Sequence, residues 1–199
     1  MAQESILEKV PPQNIEAEMA VLGSMLIDVE AIARAIEILT EDCFYKNAHR
    51  RIYSSILNLY NSNKAVDIIT ICDELKKQDT LDEVGGPSYL TLLVNTVPTS
   101  ANIDHYAHIV HEKATLRALI DNSTKIVNEA YGSEGNIAQV LDNAERLIFE
   151  IRDRRRSSVS VSLKEIIKDS IEKIDRLYQK KSHVTGIPTG YVDFDIKTA

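Results

Sequence analysis

The sequence has no long hydrophobic run, since no stretch of it approaches the roughly 18 apolar residues that cross a bilayer. It has only two cysteines, Cys43 and Cys72, which are far apart and fit no metal-binding spacing. These absences argue against a membrane-spanning helix and a disulfide framework. The first residues, MAQESILEKVPPQ, contain acids and no apolar segment of the kind found in signal peptides. We therefore expect a soluble, cytoplasmic protein.

The sequence also lacks the motifs of common catalytic and nucleotide-binding sites. It does not contain the pattern G-x-x-x-x-G-K-[ST], and the glycines at 85–86 and 186–190 have no lysine that could hold a triphosphate. It contains no Gly-x-Ser-x-Gly motif and no cysteine–histidine signature of a nucleophilic enzyme. We therefore predict that this chain performs no catalysis by itself, and we expect no cofactor in it.

Positive charge is scarce in the first part of the chain. Residues 1–150 contain 12 Lys and Arg against 23 Asp and Glu, a net charge of −11, whereas residues 151–199 contain 11 against 7, a net charge of +4; together they give the −7 of the whole chain. Because phosphate backbones bind clustered positive charge, the first part favours protein partners over DNA. The basic run RDRRRSS at 152–158 is interpreted as a solvated linker, with nucleic-acid contact as the alternative.

Helical patterns fill residues 1–101. Asn14, Asn47 and Asp67 each stand where a side chain can cap the start of a helix. Pro87 stands at the favoured first turn of another. We predict an all-α fold that begins with a compact bundle of short helices over 1–101.

Residues 102–153 show the pattern of two long helices. About thirty residues lack glycine and proline, the segment GSEGN at 132–136 interrupts them, and apolar residues then recur at spacings of three and four. We predict a projecting antiparallel hairpin. Its apolar surface exceeds what two helices bury against each other, so we predict self-association. The candidate residues for this contact are Ile120, Leu147, Ile148 and Ile151.

A polar segment and one more helical pattern follow the hairpin. RRRSSVSVS at 154–162 is interpreted as a hinge, and LKEIIKDSIEKIDRLYQKK as an amphipathic helix, so residues 154–182 form a hinge and an isolated linker helix. A single helix of this length is marginal in water. We therefore predict that its apolar face docks on another domain or subunit, through Ile167, Ile171, Ile174 and Tyr178.

The segment HYAHIVHEK places potential metal ligands within eight residues, namely His105, His108, His111 and Glu112. At about 100° per residue they share one side of a helix, opposite its apolar residues. We interpret them as a polar face turned to water or to a partner, and we expect no metal site.

Five stretches together resemble the DnaB family of bacterial replicative DNA helicases. They are PPQNIEAEMAVLGSMLID, CFYKNAHRRIYSSILNLY, VDIITICDEL, EVGGPSYLTLLVNTVPTSANIDHYAHIVHEKATLRALI and TGIPTGYVDFD. The resemblance extends from about Pro11 to Ala199, in the family's order. In that family TGIPTG opens a RecA-like ATPase domain, so residues 183–199 are expected to be the truncated start of that domain, before its phosphate loop.

The resemblance implies a role in DNA replication. The family's parent enzyme is a hexameric ring that encircles single-stranded DNA and unwinds the duplex with ATP and magnesium. The residues that would contact ATP and magnesium have no counterpart in this sequence. Its N-terminal domains form a collar that pairs through the hairpin into a trimer of dimers and recruits the C-terminal domain of primase. The linker helix docks on the motor domain of a neighbouring subunit. A helicase loader is left open as a further partner.

Two residues are candidate contacts for primase. Glu16 is either an exposed acid that meets a basic partner or an acid that compensates the helix dipole. Tyr89 is an aromatic residue with a polar tip, a type enriched at binding hot spots, or else it is buried beside Leu92 and Leu93. For Ile120 we favour the hairpin core or its self-association seam over a primase contact. The alternative function is a helical nucleic-acid-binding or regulatory module, against which the charge of −11 argues.

Overall fold

The computed structural model of the protein describes residues 10–132 and 137–156, seven residues between 167 and 175, and Tyr191. All regular structure in these described residues is helical, which confirms the predicted all-α class. Short 3-10 turns occur at Glu41–Cys43 and Ser100–Asn102. The α-helices of 10–132 and 137–156 are α1 (Ile15–Ile27), α2 (Val29–Ile38), α3 (Asn47–Asn61), α4 (Ile68–Lys77), α5 (Gly86–Thr96), α6 (Ile103–Gly132) and α7 (Ile137–Arg156).

The starts of the helices mostly follow the capping pattern. The Asn14 side chain accepts a hydrogen bond from the N–H of Ala17 at 3.0 Å, and Asp67 accepts one from the N–H of Thr70 at 2.8 Å, which confirms both caps. The prediction for Asn47 is wrong: Asn47 is the first residue of α3, and Lys46 holds the cap position without a side-chain bond. The chain before α3 is instead held by a carboxylate from another helix, described below.

The first helix, α1, is the centre of the bundle. Nine of its 13 residues are buried, because α2, α3, α5 and α6 all pack against it. A helix that is covered on every side must be apolar around most of its circumference. Each large apolar side chain that it buries stabilises the fold by about 1.5–3 kcal/mol. The fully buried residues of the core include Leu22, Met25, Ile32, Phe44, Tyr53, Ile56, Ile71, Leu90 and Leu93.

The long helix α6 belongs to the bundle at its start and to the hairpin further along. Ile103, Ala107 and Val110 are buried in the bundle core. In the middle of α6, the Arg117 Nη1 and Nη2 atoms donate to the carbonyl oxygens of Pro12 at 2.7 Å and Cys43 at 2.6 Å. Arg117 therefore ties α6 to the segments that precede α1 and α3.

The second half of α6 pairs with α7. Asn122 Nδ2 donates to the Leu147 carbonyl at 2.9 Å, and Asn143 Nδ2 donates to Glu129 Oε2 at 2.8 Å. Asn122 precedes Glu129 on α6, whereas its partner Leu147 follows Asn143 on α7. This order is that of an antiparallel hairpin. The α7 helix ends at Arg156, three residues beyond the predicted hairpin boundary at 153.

Residues 160–199 form a second compact unit, distinct from residues 1–159. Its described residues between 167 and 175 are helical, and Ile167, Ile171 and Ile174 are exposed there. Tyr178, the residues 157–162 of the predicted hinge, and all of 183–199 except Tyr191 lie outside the described residues. Within the described part of the chain, no helix has the length and apolar character needed to span a membrane.

Gly23 is expected to be indispensable for the contact between α1 and α5. A Cβ atom at this position would lie 2.2 Å from the Leu93 carbonyl oxygen and 2.9 Å from Val97 Cγ2. Because a backbone oxygen cannot move away cheaply, Gly23→Ala should lower the free energy of unfolding by about 2–3 kcal/mol in urea titrations. Gly132→Ala is the control, since a Cβ there meets no atom within 4 Å. Equal stability of the two variants would contradict this close packing.

Candidate functional site

A chain of three polar side chains joins three helices of the bundle. Glu18 Oε2 of α1 lies 2.6 Å from His49 Nδ1 of α3, and His49 Nε2 lies 2.7 Å from the Tyr89 hydroxyl of α5. The side chains of Glu18 and His49 are 2% and 0% exposed, whereas Tyr89 is half-buried. The network therefore leads from the interior of the bundle to its surface.

The main chain also satisfies the Glu18 carboxylate. The Tyr45 N–H donates to Glu18 Oε1 at 2.7 Å, and the Lys46 N–H approaches Oε2 at 3.5 Å. A buried carboxylate without such donors would destabilise the fold by several kcal/mol. Burial and, secondarily, the charge of Glu18 raise the pKa of the Tyr89 hydroxyl above its ordinary value, so this hydroxyl keeps its proton.

The turn before α5 sets the position of Tyr89. Gly85 caps this helix with φ of +98°, in the left-handed region that favours glycine. A Cβ atom at Gly85 would lie 2.9 Å from Tyr89 Cβ, so glycine also makes room for the tyrosine. The ring planes of His49 and Tyr89 differ by 12°, with their centroids 6.0 Å apart. That arrangement suits a hydrogen bond in the plane of the imidazole better than face-to-face stacking.

The two candidate partner contacts differ in their surroundings. Glu16 is exposed in the first turn of α1. Tyr89 is neither a free surface residue nor a core residue: its ring is half-buried and its hydroxyl is bound to His49. Of its two proposed neighbours, Leu93 is fully buried and Leu92 is exposed.

Sequence reasoning missed the role of Glu18 as a buried hydrogen-bond acceptor. A signal was present, because α1 is apolar on nearly every side and an acid within it must be buried together with partners. The identity of those partners had no signal. His49 and Tyr89 are 31 and 71 positions further along the chain, and only the packing of α3 and α5 on α1 brings them together.

The candidate residues of the hairpin separate into an inner and an outer set. Leu147 is buried between α6 and α7, while Ile120 and Ile148 are each 47% exposed and Ile151 is half-buried. Further apolar side chains are exposed along both helices, namely Leu116, Leu119, Val127, Leu141 and Phe149.

A cleft of about 1010 Å³ lies between the end of α2, the segment that leads into α3, and the middle of α6. Ile120 and Ile151 both line it, so two of the hairpin candidates face the same space. Its lining mixes apolar and charged side chains, among them Ile36, Leu39, Asp42, Arg50, Ala114, Arg117 and Asp121.

The side chains of the histidine-rich segment differ in their exposure. His105, His108 and Glu112 are exposed, and His111 is half-buried at the cleft. The opposite side of α6 is buried at Ile103 and Val110, in agreement with the predicted faces. In the part of the chain that the structure describes, no three His, Cys, Asp or Glu side chains are grouped to hold a metal ion.

The architecture defines a class, an all-α bundle extended by a helical hairpin. Residues 10–112, which are 103 of the 199 residues, match the family model described as the DnaB-like helicase N terminal domain. Because the match covers more than half of the chain, the chain belongs to this family. The family resemblance drawn from the sequence is confirmed.

Individual relatives agree with the family. The chain is 42% identical to the replicative DNA helicase DnaC of Bacillus subtilis over 192 residues, which are 96% of this chain and 42% of that protein. It is 40% identical to the replicative DNA helicase DnaB of Geobacillus stearothermophilus, with the same two coverages. The chain therefore spans about two-fifths of the length of these curated relatives.

Two solved structures show similar folds. The N-terminal domain of DnaB helicase from Mycobacterium tuberculosis superposes with a TM-score of 0.68 at 42% identity, over 71% of this chain and 99% of that one. A DnaB-like replicative helicase, described together with its interactions with primase, superposes with a TM-score of 0.63 at 26% identity. That match covers 92% of this chain and 41% of the other.

The bundle is expected to depend on the buried hydrogen bonds of His49. His49→Ala would remove a partner of the buried Glu18 carboxylate, and hydrogen bonds to charged groups contribute about 1.5–3 kcal/mol. The free energy of unfolding should fall by about that amount in a chemical denaturation experiment. His108→Ala, which truncates an exposed histidine of α6, should leave it unchanged within error. A His49→Ala protein as stable as the parent would show that water replaces the imidazole at no cost.

Proposed function

We propose that this chain is the N-terminal region of a hexameric replicative DNA helicase in the bacterial cytoplasm, where it holds subunits together and recruits primase during DNA replication. The observation that carries the proposal is the combination of a DnaB-like N-terminal bundle with a hairpin that exposes apolar side chains on both of its helices. ATP hydrolysis, magnesium binding and the contact with single-stranded DNA belong to the motor domain of the parent protein, which lies outside these residues.

The hairpin supports self-association. Leu147 of α7 is buried, whereas Ile148 and Leu141 of the same helix are exposed. On α6 the exposed Leu116, Ile120 and Val127 recur at intervals of four and seven residues, which places them along one face. Covering such a face with a second copy removes apolar area from water, worth about 25 cal/mol per Å². We propose that hairpins pair into dimers, and that three dimers form the collar of the ring.

Ile148→Asp is expected to shift this chain toward the monomer, because a charge on the outer face of α7 would have to be buried in the dimer. Light scattering across a concentration series measures the mass, and circular dichroism should show unchanged helix content. Asn128→Asp is the control, since it adds the same charge at an exposed polar position of α6. An unchanged mass for Ile148→Asp would place the self-association surface elsewhere.

Recruitment of primase is supported by charge and by the site around Tyr89. Residues 1–150 carry a net charge of −11, and Glu16 is exposed at the start of α1, so the bundle suits a basic partner. Tyr89 offers a half-buried ring whose position is fixed by a hydrogen bond. A ring held in this way contributes contact area at little entropic cost on binding. We propose that the C-terminal domain of primase contacts this surface.

Tyr89→Ala is expected to weaken binding of the primase C-terminal domain by about tenfold, because hot-spot truncations cost more than about 1 kcal/mol. Isothermal titration calorimetry with the primase domain from the same bacterium measures the affinity. Tyr131→Ala, which removes a tyrosine that is 90% exposed near the end of α6, should bind as the parent does. A folded Tyr89→Ala protein with full affinity would remove Tyr89 from the proposed contact.

The helix that contains Ile167, Ile171 and Ile174 is proposed to dock on the motor domain of a neighbouring subunit. Its three isoleucines recur at intervals of four and three residues and are 50–66% exposed. Tyr178, the fourth residue proposed for this face, lies outside the described residues. A helicase loader is a further partner that the parent protein can have.

A further inference from the structure

We propose that His49 and Glu18 fix the direction of the Tyr89 hydroxyl proton, so that Tyr89 offers its oxygen to a partner as a hydrogen-bond acceptor and selects an N–H donor. In this arrangement His49 is a positioning residue that acts through Tyr89. The inference rests on the proposed function, because it concerns the contact that Tyr89 makes with primase.

The tautomer of His49 follows from the groups around Glu18. Both Glu18 oxygens face main-chain N–H groups, those of Tyr45 and Lys46, and an ionised carboxylate accepts such bonds. A carboxylate has no hydrogen to donate, so the short contact of 2.6 Å to His49 Nδ1 requires a hydrogen on Nδ1. In a neutral imidazole the other nitrogen, Nε2, is then an acceptor.

The direction of the Tyr89 hydroxyl follows from the tautomer. Nε2 of His49 lies 2.7 Å from the hydroxyl oxygen, and as an acceptor it takes the single hydroxyl hydrogen. Burial raises the pKa of Tyr89, which keeps that hydrogen in place. Because Tyr89 is only partly buried, we infer that a lone pair of this oxygen remains for a hydrogen bond from a partner. A partner can therefore satisfy the oxygen with an arginine, a lysine, a side-chain amide or a main-chain N–H, but not with a carboxylate.

The neighbouring guanidinium groups of Arg50 and Arg117 donate to other acceptors than the Glu18 carboxylate. Arg50 Nε donates to the Phe44 carbonyl at 2.7 Å. The terminal nitrogens of Arg117 donate to the carbonyls of Pro12 and Cys43. These donors are directed at main-chain oxygens, whereas the Glu18 carboxylate contacts His49 and two main-chain amides. The negative net charge of residues 1–150 also favours a basic partner, whose Lys and Arg side chains are N–H donors.

The tautomer can be measured in the free protein without any partner. Long-range proton–nitrogen NMR correlations at neutral pH should show His49 with a protonated Nδ1 and an unprotonated Nε2. In Tyr89→Phe, Nδ1 should stay protonated while the Nε2 resonance moves toward that of a nitrogen that accepts no hydrogen bond. A protonated Nε2 in the parent chain, in the neutral or the charged imidazole, would overturn the inference, because Tyr89 would then accept from His49.

The consequence for binding can be measured with the primase C-terminal domain. Tyr89→Phe, which removes only the hydroxyl, should weaken binding about fivefold. A folded His49→Asn protein should lose affinity to a similar degree, and the double variant should lose no more than either single one, because both changes act on the same hydroxyl. Tyr60→Phe, which removes a hydroxyl from a half-buried tyrosine of α3, is the control and should bind as the parent does.

The outcomes separate this inference from the proposed recruitment. If Tyr89→Ala weakens binding and Tyr89→Phe does not, the ring contact stands and the inference about the hydroxyl is wrong. If the parent chain does not bind the primase domain, the proposed recruitment is wrong, and so is the proposed hydrogen bond from an N–H group of primase. The NMR measurement still decides whether His49 fixes the direction of the Tyr89 hydroxyl. Replacing single Arg and Lys residues of the primase domain by Met should identify one whose loss abolishes the effect of Tyr89→Phe.

Discussion

The buried carboxylate of Glu18 is the contact on which much of the bundle depends. It lies at the start of the central helix and accepts hydrogen bonds from the turn before α3 and from the imidazole of His49. Through His49 it also reaches Tyr89 on α5. Three helices are thus connected through one side chain that cannot be left unpaired inside the fold. Because the Glu18 carboxylate must be paired, His49 carries its hydrogen on Nδ1 in the arrangement that we propose. The pairing that stabilises the bundle therefore also sets the direction of the Tyr89 hydroxyl.

The continuity of α6 connects this bundle to the hairpin. A helix of 30 residues has no internal break, so its buried start at Ile103–Val110 orients the later residues that pair with α7. Arg117 adds a second attachment through the Pro12 and Cys43 carbonyls. The surface proposed for self-association is therefore carried on the same rigid element that completes the core. The cleft beside Ile120 lies where the two parts meet.

Much of the fold could be predicted from local patterns. Asn14 and Asp67 cap their helices as expected, because a cap involves residues within three positions of each other. The glycines at 132 and 135 indicate the interruption between two long helices for the same local reason. The start of α3 was missed by one position, because the chain before it is held by Glu18 from another helix. In the candidate site, Tyr89 could be named from its residue type, but its bond to His49 could not.

The sequence by itself determined the helical class, the starts of several helices, the acidic character of the first 150 residues and the family. These properties depend on residue type and on spacings of a few positions, which any short window of the chain contains. The tertiary structure decided which polar residues are buried together and which apolar residues of the hairpin remain outside. Leu147 and Ile148 have similar side chains and adjacent positions, yet one is 9% and the other 47% exposed. Burial of this kind is set by which neighbouring helix covers each side of α7, and that arrangement involves residues far apart in the chain.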